Sequence, residues 1–174
     1  MGEHSRYNVS GDQAGIAHGV LKNKLGYTNQ KDLDDAETIL QADAYKHFFD
    51  VAHTRHFQFG MELLCEIHKY FFETLYDWAG TIRTIDISKG EMLFAHVQHL
   101  PNSLEALDRF IKEHTPMASG GQEKIAASLA MIHNEFNAVH PFRDGNGRTI
   151  RLFLDLLAFT LGFEPINYGS RETY

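Results

Sequence analysis

Apolar residues recur along this chain at the spacing of helix faces, and they recur in five separate stretches. Leu33, Ala36, Ile39, Leu40, Ala44 and Phe48 predict a first main helix over 32–50, with aspartates and a glutamate early, where a helix N-terminus favours them. Met61, Leu64, Cys65, Ile67, His68, Phe71, Phe72 and Leu75 predict a second helix that closes at Gly80. A third opens at Pro101-Asn102, where Asn102 and Glu105 have the spacing of a reciprocal cap, and stops by His114-Thr115-Pro116.

From Gln122 to Val139, the positions Ile125, Leu129, Ile132, Phe136 and Val139 keep to one stripe. The run from Ile150 to Leu161 is instead apolar on nearly every side, so that helix is expected at the centre of the molecule. The period changes only once, at Thr81-Ile82-Arg83-Thr84-Ile85-Asp86-Ile87. This β-branched run precedes a turn at Ser88-Lys89-Gly90 and a short extended piece to Phe94, and together they predict a small β-hairpin. A lone hairpin is marginal in water, so this one is expected to lie against the helices as a flap.

Residues 1–30 are polar and weakly periodic, and they predict an irregular arm with a short helix. Residues 31–174 form one domain, with no internal repeat and no linker, and the end at Tyr174 without a polar tail reads as a truncation. With 43% hydrophobic and 22% charged residues, the composition is that of an ordinary globular protein. A net charge of −7 without a basic run argues against nucleic acid as a partner. Cys65 stands alone in an apolar segment, where a buried inert thiol is expected. Neither a membrane span nor a signal peptide is seen, so the chain is expected in a cytoplasm.

The chemistry is concentrated between the last two helices, in His140-Pro141-Phe142-Arg143-Asp144-Gly145-Asn146-Gly147-Arg148-Thr149-Ile150-Arg151. Gly145, Asn146 and Gly147 at a helix start offer backbone N–H groups with no intrahelical partner, and glycine lets an anion approach the main chain. Arg148 and Arg151 share one face of the first turn and suit the oxygens of a polyphosphate. Asp144 carries the wrong charge for phosphate but can hold a Mg²⁺ that bridges phosphate oxygens. His140, with an ordinary pKa of about 6.5, can take a proton from an attacking hydroxyl near neutrality. Any one of these residues could serve a turn or a cap, but turns and caps do not call for the whole set.

The stretch resembles the signature of the Fic family, His-x-Phe-x-Asp/Glu-Gly-Asn-Gly-Arg-x-x-Arg, and matches it at every specified position. Tyr76-Asp77-Trp78-Ala79-Gly80 with Ile82-Arg83 is similar to the segment leading into that family's flap. The resemblance implies an all-α, Fic-like helical bundle with a small β-hairpin flap. It further implies transfer of AMP from ATP to a Ser, Thr or Tyr hydroxyl of a target protein, by a toxin or by an effector secreted into a host cytoplasm. In that reading His140 is the base, Asp144 holds Mg²⁺, Gly145, Asn146 and Gly147 surround the phosphates, and Arg148 and Arg151 meet the outer ones. Phe142 anchors the loop, and Ser88, Lys89, Gly90 and Phe94 belong to the flap that registers the target.

Alternatives are transfer of UMP, phosphocholine or a terminal phosphate, or a module that binds without catalysis; a metal-dependent hydrolase is disfavoured by the lack of a His-Glu-x-x-His spacing. Family members are often inhibited by a Ser/Thr-x-x-x-Glu-Gly/Asn helix acting on the second arginine, here Arg151. Ser119 with Glu123 and Thr160 with Glu164 have the interval but not the following residue, so inhibition is expected from a separate antitoxin-like chain or from sequence beyond Tyr174.

Overall fold

Asn29, extended at φ −128°, accepts a hydrogen bond from the Asp32 N–H and so starts helix α1 at Gln30–Ala52, two residues ahead of the expected position. The structure, a computed structural model, describes residues 8–9 and 15–169. Leu33, Glu37, Ala44 and Phe48 form the buried face of α1, and the expected core residue Ile39 is instead 70% exposed. Helix α2 spans Met61–Phe72, α3 Leu100–His114, α4 Gln122–Val139 and α5 Asn146–Thr160.

Helix α5 is the centre of the bundle, packed against α1, α2 and α4, with Ile150, Leu152, Phe153, Leu154, Leu156 and Leu157 all buried. The expected α4 stripe is buried at all five positions. A 3₁₀ turn at Val97–His99 feeds α3, so that helix starts before Pro101, and the capping role expected of Asn102 is not made there. Pro101 fits the first turn because that turn has no use for its missing N–H.

The second helix stops eight residues short of Gly80. Beyond Phe72 the chain turns, with the Leu75 and Tyr76 N–H groups both bonded to the Phe72 carbonyl, which drives Leu75 and Tyr76 into the core. Apolar periodicity continued through a segment that is not helical. Cys65 on α2 is half-buried rather than buried, and burial raises its thiol pKa.

The flap is smaller than expected. Strand β4 is Ile87–Lys89 and β5 is Met92–Leu93, with Lys89 opposite Met92, so the turn is Gly90-Glu91 and Ser88 and Lys89 are strand residues. Residues 81–86 are not a strand because their polar groups bond elsewhere: the Arg83 N–H goes to the Pro141 carbonyl at 2.9 Å. A third strand, β1 at Asn8–Val9, pairs antiparallel with β4. The arm also holds a hairpin of β2, Ile16–Ala17, and β3, Val20–Leu21. Its turn is His18-Gly19, both at positive φ, as a two-residue hairpin turn requires. Where a short helix was expected, the described part of the arm is therefore extended; its other residues lie outside the described ones. No helix among the described residues is long and apolar enough to cross a membrane.

Candidate active site

The site is built where α4 ends and α5 begins. His140 caps α4 in the left-handed conformation at φ 51°, its N–H bonded to the Phe136 carbonyl, and the chain then turns through Pro141 to Gly145. His140 is only 7% exposed. Its Nδ1 lies 3.1 Å from the Asn137 carbonyl oxygen. A carbonyl oxygen can only accept, so Nδ1 carries the proton and Nε2 the lone pair. Burial, helped by the nearby Arg83 and Lys89 charges and opposed by the Asn137 bond, pulls the His140 pKa down to about 4. The imidazole is neutral at physiological pH, the form that can accept a proton.

Phe94, just past β5, stacks on the His140 ring with centroids 3.7 Å apart and planes 15° from parallel. Arg83 fastens the flap base to this point. Its Nε donates to the His140 carbonyl at 2.8 Å, and its two terminal nitrogens donate to the carbonyls of Ile85, Ala95 and Val139. Asp86 accepts from the Val97 N–H at 2.7 Å and pairs with His96 at 3.0 Å, closing the neck of the hairpin.

Inside the loop, Asn146 accepts from the Phe142 N–H at 2.9 Å and donates to the Phe142 carbonyl at 2.7 Å, so its amide is used to fold the loop back on itself. Phe142 is buried and stacks on His68 at 3.9 Å. The Gly80 N–H donates to His68 Nδ1 at 2.8 Å, which leaves Nε2–H to donate to the Asp144 carbonyl at 3.0 Å. Burial lowers the His68 pKa to about 4, so this bridge is neutral.

Asp144 is buried and accepts from the Gly145 N–H. The first N–H groups of α5 follow directly, at Asn146, Gly147 and Arg148. Arg148 is buried, lies 4.7 Å over the Phe72 ring, and donates through Nη1 to Glu37 at 2.6 Å; its Nη2 is 3.7 Å from Asp144. Arg151 is half-buried, its Nη1 curling within 3.3 Å of where a side chain on Gly147 would begin. No carboxylate among the described residues forms an ion pair with Arg151.

The structure thus gathers His140, Asp144, Gly145, Asn146, Gly147, Arg148 and Arg151 on one loop and one helix end, with Phe94 laid over His140. Ser88 and Lys89 stand on β4 and Gly90 in the turn that follows, with the Lys89 charge near enough to act on His140. No group of three His, Cys, Asp or Glu residues among the described ones can hold a metal beside Asp144. That suits Mg²⁺ brought in with phosphate oxygens, which needs only one or two protein carboxylates, and does not suit a metal held by protein alone.

Glu37, His68, Tyr76, Arg83 and Asn137 were not singled out as site residues. Glu37 does carry a visible signal, a charge four residues after Leu33 on the apolar stripe of α1. Tyr76 and Arg83 fall in the segment that resembles the approach to the flap, whereas His68 and Asn137 act through bonds that no spacing announces.

A helical bundle whose central helix begins at a glycine turn with unpaired N–H groups, flanked by a neutral histidine and two arginines, can receive an anion such as phosphate. Residues 58–158, more than half of the chain, match the Fic/DOC family, and the chain belongs to it. It is 34% identical over 104 residues to the probable protein adenylyltransferase Fic of Salmonella typhimurium, covering 60% of this chain and 52% of that one. It is 32% identical over 146 residues to the protein adenylyltransferase VbhT of Bartonella schoenbuchensis, covering 83% and 30%. The chain therefore spans about half or less of the length of these relatives. The type IV secretion system effector protein BepA superposes with a TM-score of 0.64 at 27% identity, over 83% of this chain and 53% of that one. BepC of Bartonella tribocorum, solved with AMPPNP bound, gives 0.69 at 24% identity over 82% and 74%, a likeness of fold.

Proposed function

We propose that this chain is a protein adenylyltransferase, transferring AMP from ATP to a Ser, Thr or Tyr hydroxyl of a target protein. The observation that carries the reading is the tautomer of His140, whose Nδ1–H is bonded to Asn137 so that Nε2 carries the lone pair, on the loop that leads into α5. The target hydroxyl gives its proton to Nε2, its oxygen bonds the α-phosphorus, and the bond from that phosphorus to the bridging oxygen breaks, releasing pyrophosphate. The α5 N-terminal N–H groups, Arg148 and Arg151 offset the charge of the phosphates and hold them in line. Mg²⁺, when bound with the nucleotide at Asp144, supplies further charge neutralisation. Adenylyltransferase relatives at 30–34% identity support this class of reaction.

In this reading the flap registers the target. β5 is an edge strand whose Met92 and Leu93 are 63% and 83% exposed, and an extended segment can add to that edge by main-chain pairing. The protein acts in a cytoplasm, its own or a host cell's. Arg151, with no carboxylate paired to it among the described residues, is the point at which a separate antitoxin-like chain would act, by bringing a glutamate to it.

Incubation of cell lysate with α-labelled ATP tests the proposal. The native protein labels specific bands, and His140→Ala lowers that labelling by roughly 10²–10⁴-fold, the usual worth of a general base. Equal labelling by both proteins would remove His140 from the mechanism.

A further inference from the structure

We propose that Glu37, backed by Tyr76, is a positioning residue for Arg148 and thereby for the phosphates beyond the first one; this rests on the reading of the site as a nucleotide site. Glu37 lies on α1, outside residues 58–158, and is 111 positions from its partner. It occupies a place on the buried stripe of α1 that an apolar residue would fill, flanked by Leu33 and Ala44. A carboxylate there costs stability unless it is paired and hydrogen-bonded, so its presence calls for a reason.

The pairing is one-sided. Oε1 of Glu37 takes the Tyr76 hydroxyl at 2.6 Å, and Oε2 takes Arg148 Nη1 at 2.6 Å. A pair that served stability alone would favour the two-pronged fork of arginine on carboxylate. Here Tyr76 occupies the second oxygen, and Arg148 is gripped by one nitrogen. Among the described residues its buried Nε and Nη2 have no hydrogen-bond partner, and Phe72 covers one face of the plane at 4.7 Å. The guanidinium is hydrogen-bonded at one corner only, and its Nη2 faces Asp144 at ion-pair distance, 3.7 Å, without a hydrogen bond.

Asp144 explains why a grip is needed. It sits 3.7 Å from Nη2, four residues back on the same helix end, a natural ion-pair partner for Arg148. Without Glu37 the guanidinium would swing onto Asp144 and consume both its own free donors and the carboxylate beside the nest. Tyr76 and Glu37 together hold Arg148 between the two acids.

Titration calorimetry with ADP and with AMP, in EDTA, on native protein, Glu37→Gln and Tyr76→Phe tests this, alongside transfer of label from ATP. Glu37→Gln is expected to weaken ADP by on the order of tenfold, leave AMP within about twofold, and lower transfer in step with ADP affinity. Tyr76→Phe moves ADP over AMP in the same direction by a smaller factor, and it is the deciding variant should Glu37→Gln fail to fold. A fall in ADP and AMP affinity by equal factors, or unchanged selectivity in folded variants of a native protein that binds both, overturns the positioning role. A native protein that binds neither nucleotide overturns the reading of the site on which it rests.

Discussion

Gly145 in the motif loop and Gly90 at the tip of the flap share a positive φ, 77° and 59°, but their surroundings are opposite. A Cβ at Gly145 would start 2.2 Å from the Phe72 ring, whereas one at Gly90 would meet no described residue within 4 Å. The loop is built into the core: His68, Phe142, Asn146 and Arg148 are buried, and each fixes a neighbour through a hydrogen bond or a stacked ring. The flap is a sheet of three very short strands, open around its tip at Gly90 among the described residues. The lesson is that the proposed reaction site and the proposed target-registering flap are mounted separately, one on the most constrained part of the molecule and the other on one of the least. Arg83 joins the two.

Acid should break the contrast from the loop side with the largest effect. His68 and His140 are held neutral by burial, with pKa values of about 4 against an ordinary 6.5. Between those values the unfolded chain binds protons that the folded one refuses, so stability is full above about pH 6.5 and is lost as pH falls toward 4. The gap corresponds to roughly 3 kcal/mol for each ring. Thermal melts from pH 7 to 4 should show this steep loss, and replacing His68 by Gln should flatten it; an unchanged slope would show that His68 is not a buried neutral bridge.

Removing the link between the regions comes next. Arg83→Met leaves the carbonyls of Ile85, Ala95, Val139 and His140 without their donor in a buried place. The expected cost is about 3–5 kcal/mol, and the loosened His140 should lower transfer even under conditions where the variant is folded. Denaturant unfolding reads the first effect and labelling with ATP the second. A variant as stable and active as the native protein would mean that flap and loop are independent.

The smallest stability effect belongs to the flap edge and sharpens the comparison. Leu93→Ser, at a residue 83% exposed, should change stability by less than about 0.5 kcal/mol and leave ATP affinity unaltered, while labelling of protein targets falls. A large drop in melting temperature would show that the flap is a structural part of the bundle.

Much of this was legible in the sequence because helix faces and the motif are local patterns. The stripe of α4, the all-round burial of α5 and the placing of His140 at a helix end follow from spacing alone. The misreadings came where tertiary bonds override local preference. The segment 81–86 is β-branched yet bonds to the motif loop through Arg83, so it forms no strand. The apolar period of α2 runs on past Phe72, but the chain breaks there to carry Tyr76 to Glu37. In the arm, Ile16, Val20 and Leu21 fit a helical spacing, and the His18-Gly19 turn makes them a hairpin instead.

By itself the sequence determined the helical architecture and the grouping of the motif residues on one loop and one helix end, since each depends on neighbours within a turn or two. Only the tertiary structure decided which His140 nitrogen carries the proton, what lies over its ring, and which carboxylate holds Arg148. Those contacts join Phe94 to His140 and Glu37 to Arg148 across 111 positions in the second case, and periodicity does not encode pairings at such range. They are fixed by which buried polar groups must find partners when the helices close around α5.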